Sequence, residues 1–102
     1  MTTNRRYAER VDRMMDARVL QRTAETGKLE TLTDQELQLS STPVTKDPQP
    51  KTVNAWVRFG GIPVQVTAEA CMWTPRAVAI RFMVGETQYR CWVWAGAIDG
   101  PA

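Results

Sequence analysis

The feature that most constrains the fold of this chain is a long run of alternating apolar and polar residues over 53–98. Two glycine-containing pairs interrupt the run. Gly60-Gly61 suits a type I′ hairpin turn and Gly85-Glu86 suits a type II′ turn, because glycine adopts the positive φ that these turns need. Thr74-Pro75-Arg76 supplies a three-residue loop between them. The segment therefore predicts four antiparallel strands joined in chain order, as a β-meander.

The three turns place the same apolar side chains on one face of this predicted sheet. The turn at 60–61 pairs Val57 with Val64, and the three-residue loop pairs Met72 with Val78. The predicted core on this face consists of Val57, Val64, Val66, Val78, Ile80, Phe82 and Val93. The second strand would reach about 40 Å at ~3.3 Å per residue, so in a small domain it has to bend or bulge. We therefore predict a strongly bent sheet, or one that closes to a small SH3-like barrel.

Two helices are predicted before the strands. Apolar residues recur at spacings of three and four over 4–26, which is typical of an amphipathic helix. Gly27 is expected to end this helix, because glycine accepts a left-handed cap without strain. Thr33 and Glu36 have the spacing of a capping box, which predicts a second helix that ends near Leu39.

The chain is therefore divided into three parts. Residues 1–40 form a helical arm, residues 41–52 form an extended linker rich in proline, and residues 53–98 form the sheet domain. The predicted fold class is α+β in one compact unit, since 102 residues leave little surface for a second core.

All four tryptophans fall on the face of the predicted sheet that lies opposite the core. Ala77 and Ala79 lie between tryptophans of neighbouring strands and form a trough. We expect a helix to cover this trough, because exposed tryptophans make a costly apolar patch. That helix is residues 4–26 of the same chain, or of a second copy in a homodimer. The candidate binding residues on this face are Trp56, Trp73, Arg81, Arg90, Trp92 and Trp94.

Two of these candidates are arginines in directly opposed positions. Arg81 faces Arg90, and Glu69 is placed to offset the repulsion between them. Guanidinium groups beside tryptophans also suit a single-stranded nucleic acid, whose bases stack on aromatic rings while arginines follow the phosphates. The formal net charge of +2 is small for such a partner.

The chemistry that the chain lacks is equally informative. It contains no histidine and only two cysteines. Histidine is the commonest general base, metal ligand and activator of a nucleophile, and two cysteines alone cannot complete a tetrahedral zinc site. We therefore predict a non-enzymatic chain with no catalytic residues, no metal site and no cofactor.

The leading hypothesis is a protein-interaction module that binds another protein or a second copy of itself. The alternative is a single-strand or weak nucleic-acid-binding protein that uses the Trp/Arg face. Ten arginines against three lysines are typical of GC-rich bacterial genomes, and with the small size they favour an accessory or regulatory factor of a phage or mobile element. No stretch approaches the ~18–20 apolar residues of a membrane span, and residues 7–22 are charged throughout, unlike a signal peptide. We therefore expect a cytoplasmic protein with no membrane partner.

Overall fold

A computed structural model describes residues 18–102. Residues 18–26 form helix α1, and Asp34–Leu37 forms the short helix α2. The strands are β1 (Thr45–Phe59), β2 (Ile62–Trp73), β3 (Ala77–Val84), β4 (Thr87–Trp94) and β5 (Ile98–Pro101). The chain is thus α+β, mostly antiparallel sheet with a small helical part. Over this described part, no helix is long and apolar enough to cross a membrane.

The five strands form one sheet in the order β4-β3-β2-β1-β5. The predicted four-strand meander is confirmed, and β5 is an addition that the alternation pattern did not indicate. A 3-10 turn of three residues, Ala95–Ala97, is the whole connection from β4 to β5. Because β5 nevertheless pairs with β1, the sheet has to curl until its two ends approach each other. The sheet stays open, and a closed barrel is not formed.

Both predicted hairpin turns are confirmed by their backbone angles. Gly60 and Gly61 have φ of 57° and 85°, the pair of positive values that a type I′ turn requires. Gly85 has φ of 60°, as the first central residue of a type II′ turn does. Val57 pairs with Val64 as predicted.

The core lies on the predicted face of the sheet. All seven predicted core residues belong to it, with Val64 and Val78 only half-buried at its margin. The rings of Phe59 and Phe82 in the core and of half-buried Tyr89 form an aromatic cluster, with ring centroids 5.4–6.2 Å apart. The register prediction therefore identified the side chains that hold the domain together.

The predicted linker over 41–52 is wrong from Thr45 onwards, because β1 begins there. Lys46 pairs with Met72 and Lys51 pairs with Ala70, so residues 47–50 bulge out opposite a single residue of β2. Pro48 and Pro50 lie in this bulge, where proline's missing N–H costs no ladder hydrogen bond. The same prolines that suggested a linker therefore mark an interruption within a strand.

Cys71 is the residue opposite that bulge, and it also interrupts the pairing with β3. Ala70 pairs with Ile80 as expected, but Met72 pairs with Ala79 rather than with the predicted Val78. One extra residue in β2 shifts the register beyond Cys71 by one position. The second strand therefore bulges, as its length required, and its last residues change face.

Helix α1 does not cover the trough at Ala77 and Ala79. Leu20 and Ala24 pack against the core, on the opposite side of the sheet, so the prediction is wrong for residues 18–26. The predicted helix over 4–17, and a homodimer formed through it, fall outside the described residues.

The trough is covered at one end by helix α2. Its capping box is formed as predicted: the Glu36 backbone N donates to the Thr33 hydroxyl, and the Thr33 backbone N donates to the Glu36 carboxylate. Leu37 is buried and borders the same small cavity as Ala77 and Trp94. Within residues 18–102, it is therefore the four-residue helix α2 that covers part of the trough.

Candidate functional site

The segment 28–32 determines where the tryptophans lie, because it spans the gap between β1 and β4. On the β1 side, the Glu30 backbone N donates to the Arg58 carbonyl at 2.8 Å. On the β4 side, the Leu32 backbone N donates to the Trp92 carbonyl at 3.0 Å, and the Trp92 backbone N donates to the Thr31 hydroxyl at 2.9 Å. These strands are not neighbours in the sheet, so the segment brings their outward-facing side chains to one place.

The first candidate site is a cleft of about 320 Å³ on the outer surface beside this segment. We call it the tryptophan cleft and define it by Trp56, Trp92, Trp94, Glu30 and Glu36. Trp56 of β1 and Trp94 of β4 remain 46% and 43% exposed, and Trp92 is half-buried. Alternation explains their orientation, since Ala55, Val57 and Val93 beside them are buried in the core.

Two carboxylates are held in fixed positions at the tryptophan cleft. One oxygen of Glu30 accepts a hydrogen bond from the Gly61 backbone N at 2.6 Å. One oxygen of Glu36 accepts the backbone N–H and the hydroxyl of Thr33, at 3.0 and 3.1 Å. The second oxygen of each carboxylate accepts no hydrogen bond from the residues that the structure describes. The cleft therefore combines aromatic faces with acidic groups that keep acceptor capacity.

The second candidate site is a groove of about 650 Å³ on the other side of Trp92 and Thr31. We call it the arginine groove and define it by Lys46, Cys71, Ala79, Arg81 and Arg90. The bulge of β1 supplies Pro48, Pro50 and Asp47 as a wall. The groove is the open end of the predicted trough, because α2 reaches only the Ala77 end.

Glu69 offsets the repulsion between the two arginines of the groove, as predicted. Arg81 lies opposite both Glu69 and Arg90 in the sheet. The Arg81 Nε donates to one Glu69 oxygen at 3.0 Å, and its Nη2 donates to the other at 3.4 Å. The hydrogen bond and the positive charge of Arg81 lower the pKa of the Glu69 carboxyl. Arg90 makes no ion pair within residues 18–102, so its charge faces solvent.

The candidate residues predicted from sequence thus divide between two sites. The cleft takes Trp56, Trp92 and Trp94, and the groove takes Arg81 and Arg90, with Trp92 bordering both. Trp73 borders neither site. The bulge at Cys71 shifts it by one position along the sheet, so that it pairs with Val78 and not with Ala77. Arg81 and Arg90 lie opposite each other in the predicted register, in line with Trp92 and Trp94 of β4, and these side chains line two neighbouring cavities.

Sequence reasoning missed the acidic side of the cleft. Glu30 has no periodic signal, since the segment 28–32 follows neither a helical nor a strand pattern. Glu36 was identified for its capping role only. In the described part of the chain, no three histidine, cysteine or acidic side chains come together as metal ligands do.

Comparison of the chain with models of protein families, with curated proteins and with solved structures finds no match. The two sites therefore have to be interpreted from their own chemistry. An aromatic cleft with carboxylates suits a cation, and a groove with three basic side chains over an apolar floor suits an anion.

Proposed function

We propose that this chain is a non-enzymatic protein-interaction module that binds its partner at the tryptophan cleft. The observation that carries the proposal is the exposure of Trp56 and Trp94, at 46% and 43%, in a cleft shared with a third tryptophan. Tryptophan is enriched among the few residues that dominate binding energy at protein interfaces. A rigid sheet supports all three side chains, which limits the entropy lost when a partner orders them.

The fold of this module is proposed to be an opened relative of a small SH3-like barrel. The short connection between β4 and β5 supports this, because it forces the curl that a barrel needs. The segment 28–32 occupies the gap that direct pairing of strands would close. The tryptophan cleft lies along this gap, so the proposed binding site depends on the sheet being open.

The test is selection of a random peptide library displayed on phage against the wild-type chain. We expect selected peptides to lose at least about tenfold in affinity for Trp56→Ala and Trp94→Ala, as for residues that dominate an interface. Trp73→Ala is the matched control, because Trp73 is 38% exposed but lies outside the cleft. Peptides that bind all three variants as well as wild type, or a library that yields no binder, would contradict the proposal.

A second candidate function is binding of single-stranded nucleic acid in the arginine groove. It is supported by Lys46, Arg81 and Arg90 around one concave surface that Trp92 borders. The electrostatic attraction is reduced by Asp47 in the wall and by the pairing of Arg81 with Glu69. For this reason we place it second to the tryptophan cleft.

The test of this alternative is the salt dependence of binding to a fluorescent oligothymidine. Each phosphate contact contributes a slope of about −0.7 in log K against log salt for single strands. Arg90→Gln removes a solvent-facing guanidinium and is expected to reduce the slope by about that amount. Affinity that does not change with salt, or that Arg90→Gln leaves unchanged, would exclude phosphate contacts in the groove.

A further inference from the structure

We propose that the tryptophan cleft receives a cationic side chain, arginine or lysine, from a peptide segment of the partner. This inference rests on the proposed function and names the chemistry that the cleft recognises. It follows from the charges, the aromatic surfaces and the hydrogen bonds of the described residues around the cleft.

Two carboxylates at the cleft are oriented to receive a cation. Glu30 and Glu36 both border the cleft, and backbone N–H groups of Gly61 and Thr33 hold them in place. A carboxylate fixed in this way is already oriented, so a cation that binds it does not have to order a free side chain. Each carboxylate has a second oxygen that can accept a hydrogen bond from a guanidinium or ammonium group.

The tryptophan rings at the cleft also attract a cation. A cation over the face of a tryptophan is attracted by the ring quadrupole, and tryptophan is the strongest of the aromatic residues in this respect. Trp56 and Trp94 border the cleft and are 46% and 43% exposed. Aromatic faces and carboxylates therefore act on the same kind of ligand.

Among the described residues, 18–102, the basic side chains leave this position to a partner. Arg58 also borders the cleft, but its Nη1 donates to the Gly61 carbonyl at 3.2 Å, which ties it to the hairpin turn. Lys46, Arg81 and Arg90 line the separate arginine groove. The cleft thus has an acidic excess, which attracts a basic peptide and repels the phosphates of a nucleic acid.

The experiment follows the indole N–H signals of the four tryptophans by NMR during a titration with N-acetyl-arginine amide at low ionic strength. N-acetyl-citrulline amide is the matched probe, because it has the same shape and no charge. We expect arginine amide to shift the signals of Trp56, Trp92 and Trp94, and citrulline amide to leave them in place. Trp73 lies outside the cleft and serves as the internal control.

Two conservative variants test the carboxylates. Glu30→Gln and Glu36→Gln keep an oxygen acceptor for the backbone, and glutamine also serves in a capping box. Each is expected to weaken the binding of arginine amide about two- to fivefold, as for an exposed charge pair. Glu86→Gln, an exposed change on the β3–β4 turn outside the cleft, is expected to have no effect.

Several outcomes would overturn the inference. Equal shifts with arginine and citrulline amides would mean that charge is not recognised, and larger shifts with N-acetyl-leucine amide would assign the cleft to an apolar side chain. Signals that move on dilution of the protein alone, with no response to arginine amide, would assign it to a second copy of the chain.

Displayed peptides that need Trp56 and Trp94 but contain no basic residue would contradict this inference while the proposed function stands. Peptides that need neither tryptophan would contradict the proposed function itself.

Discussion

At the scale of single residues, the two thiols differ in their burial. Cys91 is buried in the core, and burial raises the pKa of its thiol from the ordinary value of 9.0 to about 11. Cys71 is half-buried at the bulge in the arginine groove, where its Sγ donates to the Glu69 carbonyl at 3.6 Å. The Cys91 thiol is therefore shielded from solvent, and the Cys71 thiol borders the arginine groove.

We expect one thiol of each folded chain to react readily with Ellman's reagent at mildly alkaline pH, since the reagent needs access to a thiolate. Cys71→Ser should remove this reaction, and Cys91→Ala should leave it unchanged. Unfolding in guanidinium provides the control, because both thiols then react. Rapid modification of Cys91 in the folded chain would contradict the burial of its side chain.

Burial of Cys91 also predicts a dependence of stability on pH. The folded chain disfavours the Cys91 thiolate, so the contribution of this thiol is complete below pH 9.0 and is lost as the pH rises towards about 11. Urea unfolding across this range should therefore show a steeper loss of stability for the wild type than for Cys91→Ala. The difference between the two proteins isolates the contribution of this thiol from that of every other ionisable group. Parallel curves would mean that the thiolate is tolerated in the core.

At the scale of elements, the connection between α1 and the segment 28–32 depends on a close approach of two backbones. Gly27 does not have the positive φ of a left-handed cap. A Cβ at this position would instead lie 2.8 Å from both the carbonyl carbon and the carbonyl oxygen of Phe59. Helix α1 ends at the expected position. Glycine is required at this position because a side chain would clash with the Phe59 backbone, and not because of a left-handed φ.

Gly27→Ala is therefore expected to destabilise the chain by about 1–3 kcal/mol, as overpacking against rigid atoms does. The change should also shift the indole signals of Trp92 and Trp94, because the displaced segment holds Trp92 by two hydrogen bonds. Gly96→Ala is the matched control, since a Cβ there meets no atom within 4 Å. Urea unfolding and NMR measure the two effects, and equal stability of the two variants would contradict the close approach.

Some features of these elements could be predicted from the sequence, and others could not. Gly60, Gly61 and Gly85 were predictable because a hairpin turn needs a backbone angle that glycine alone adopts easily. The length of β2 predicted a bend or bulge, but its position at Cys71 was not predictable, because an extra residue in a strand leaves the local alternation intact on either side. Prolines such as Pro48 and Pro50 are found both in linkers and in bulges, so the sequence did not distinguish the two. The cleft was only partly predictable. Trp56 and Trp94 are brought to it by the segment 28–32, and the residues that dock this segment, Glu30 and Thr31, belong to no helical or strand periodicity in the sequence.

At the scale of the whole molecule, stability depends on a core that the sheet and α1 share. Phe59 and Ile80 are its most completely buried large side chains, and Leu20 and Ala24 of α1 pack against the same cluster. The outer face contributes less, because Trp56, Met83 and Trp94 on it remain substantially exposed. The surface that is proposed to bind is thus largely separate from the residues that hold the fold.

Ile80→Ala is expected to lower the free energy of unfolding by about 2–5 kcal/mol, as for a buried aliphatic side chain that leaves a cavity. Met83→Ala, on the neighbouring outer face of β3, is the control and should change it by less than about 0.5 kcal/mol. Equilibrium unfolding in urea measures both. A loss below about 1 kcal/mol for Ile80→Ala would place this residue outside the cooperative core.

The hydrogen bond between Thr31 and Trp92 joins residues that lie 61 positions apart in the chain. During synthesis, Glu30 and Thr31 leave the ribosome well before the strand that they will meet. Neither a nascent chain nor a proteolytic fragment that ends before β4 contains the tryptophan cleft. A partner that recognises the cleft would therefore distinguish the folded chain from such fragments, and its binding would report on the docking of the segment 28–32 against β4.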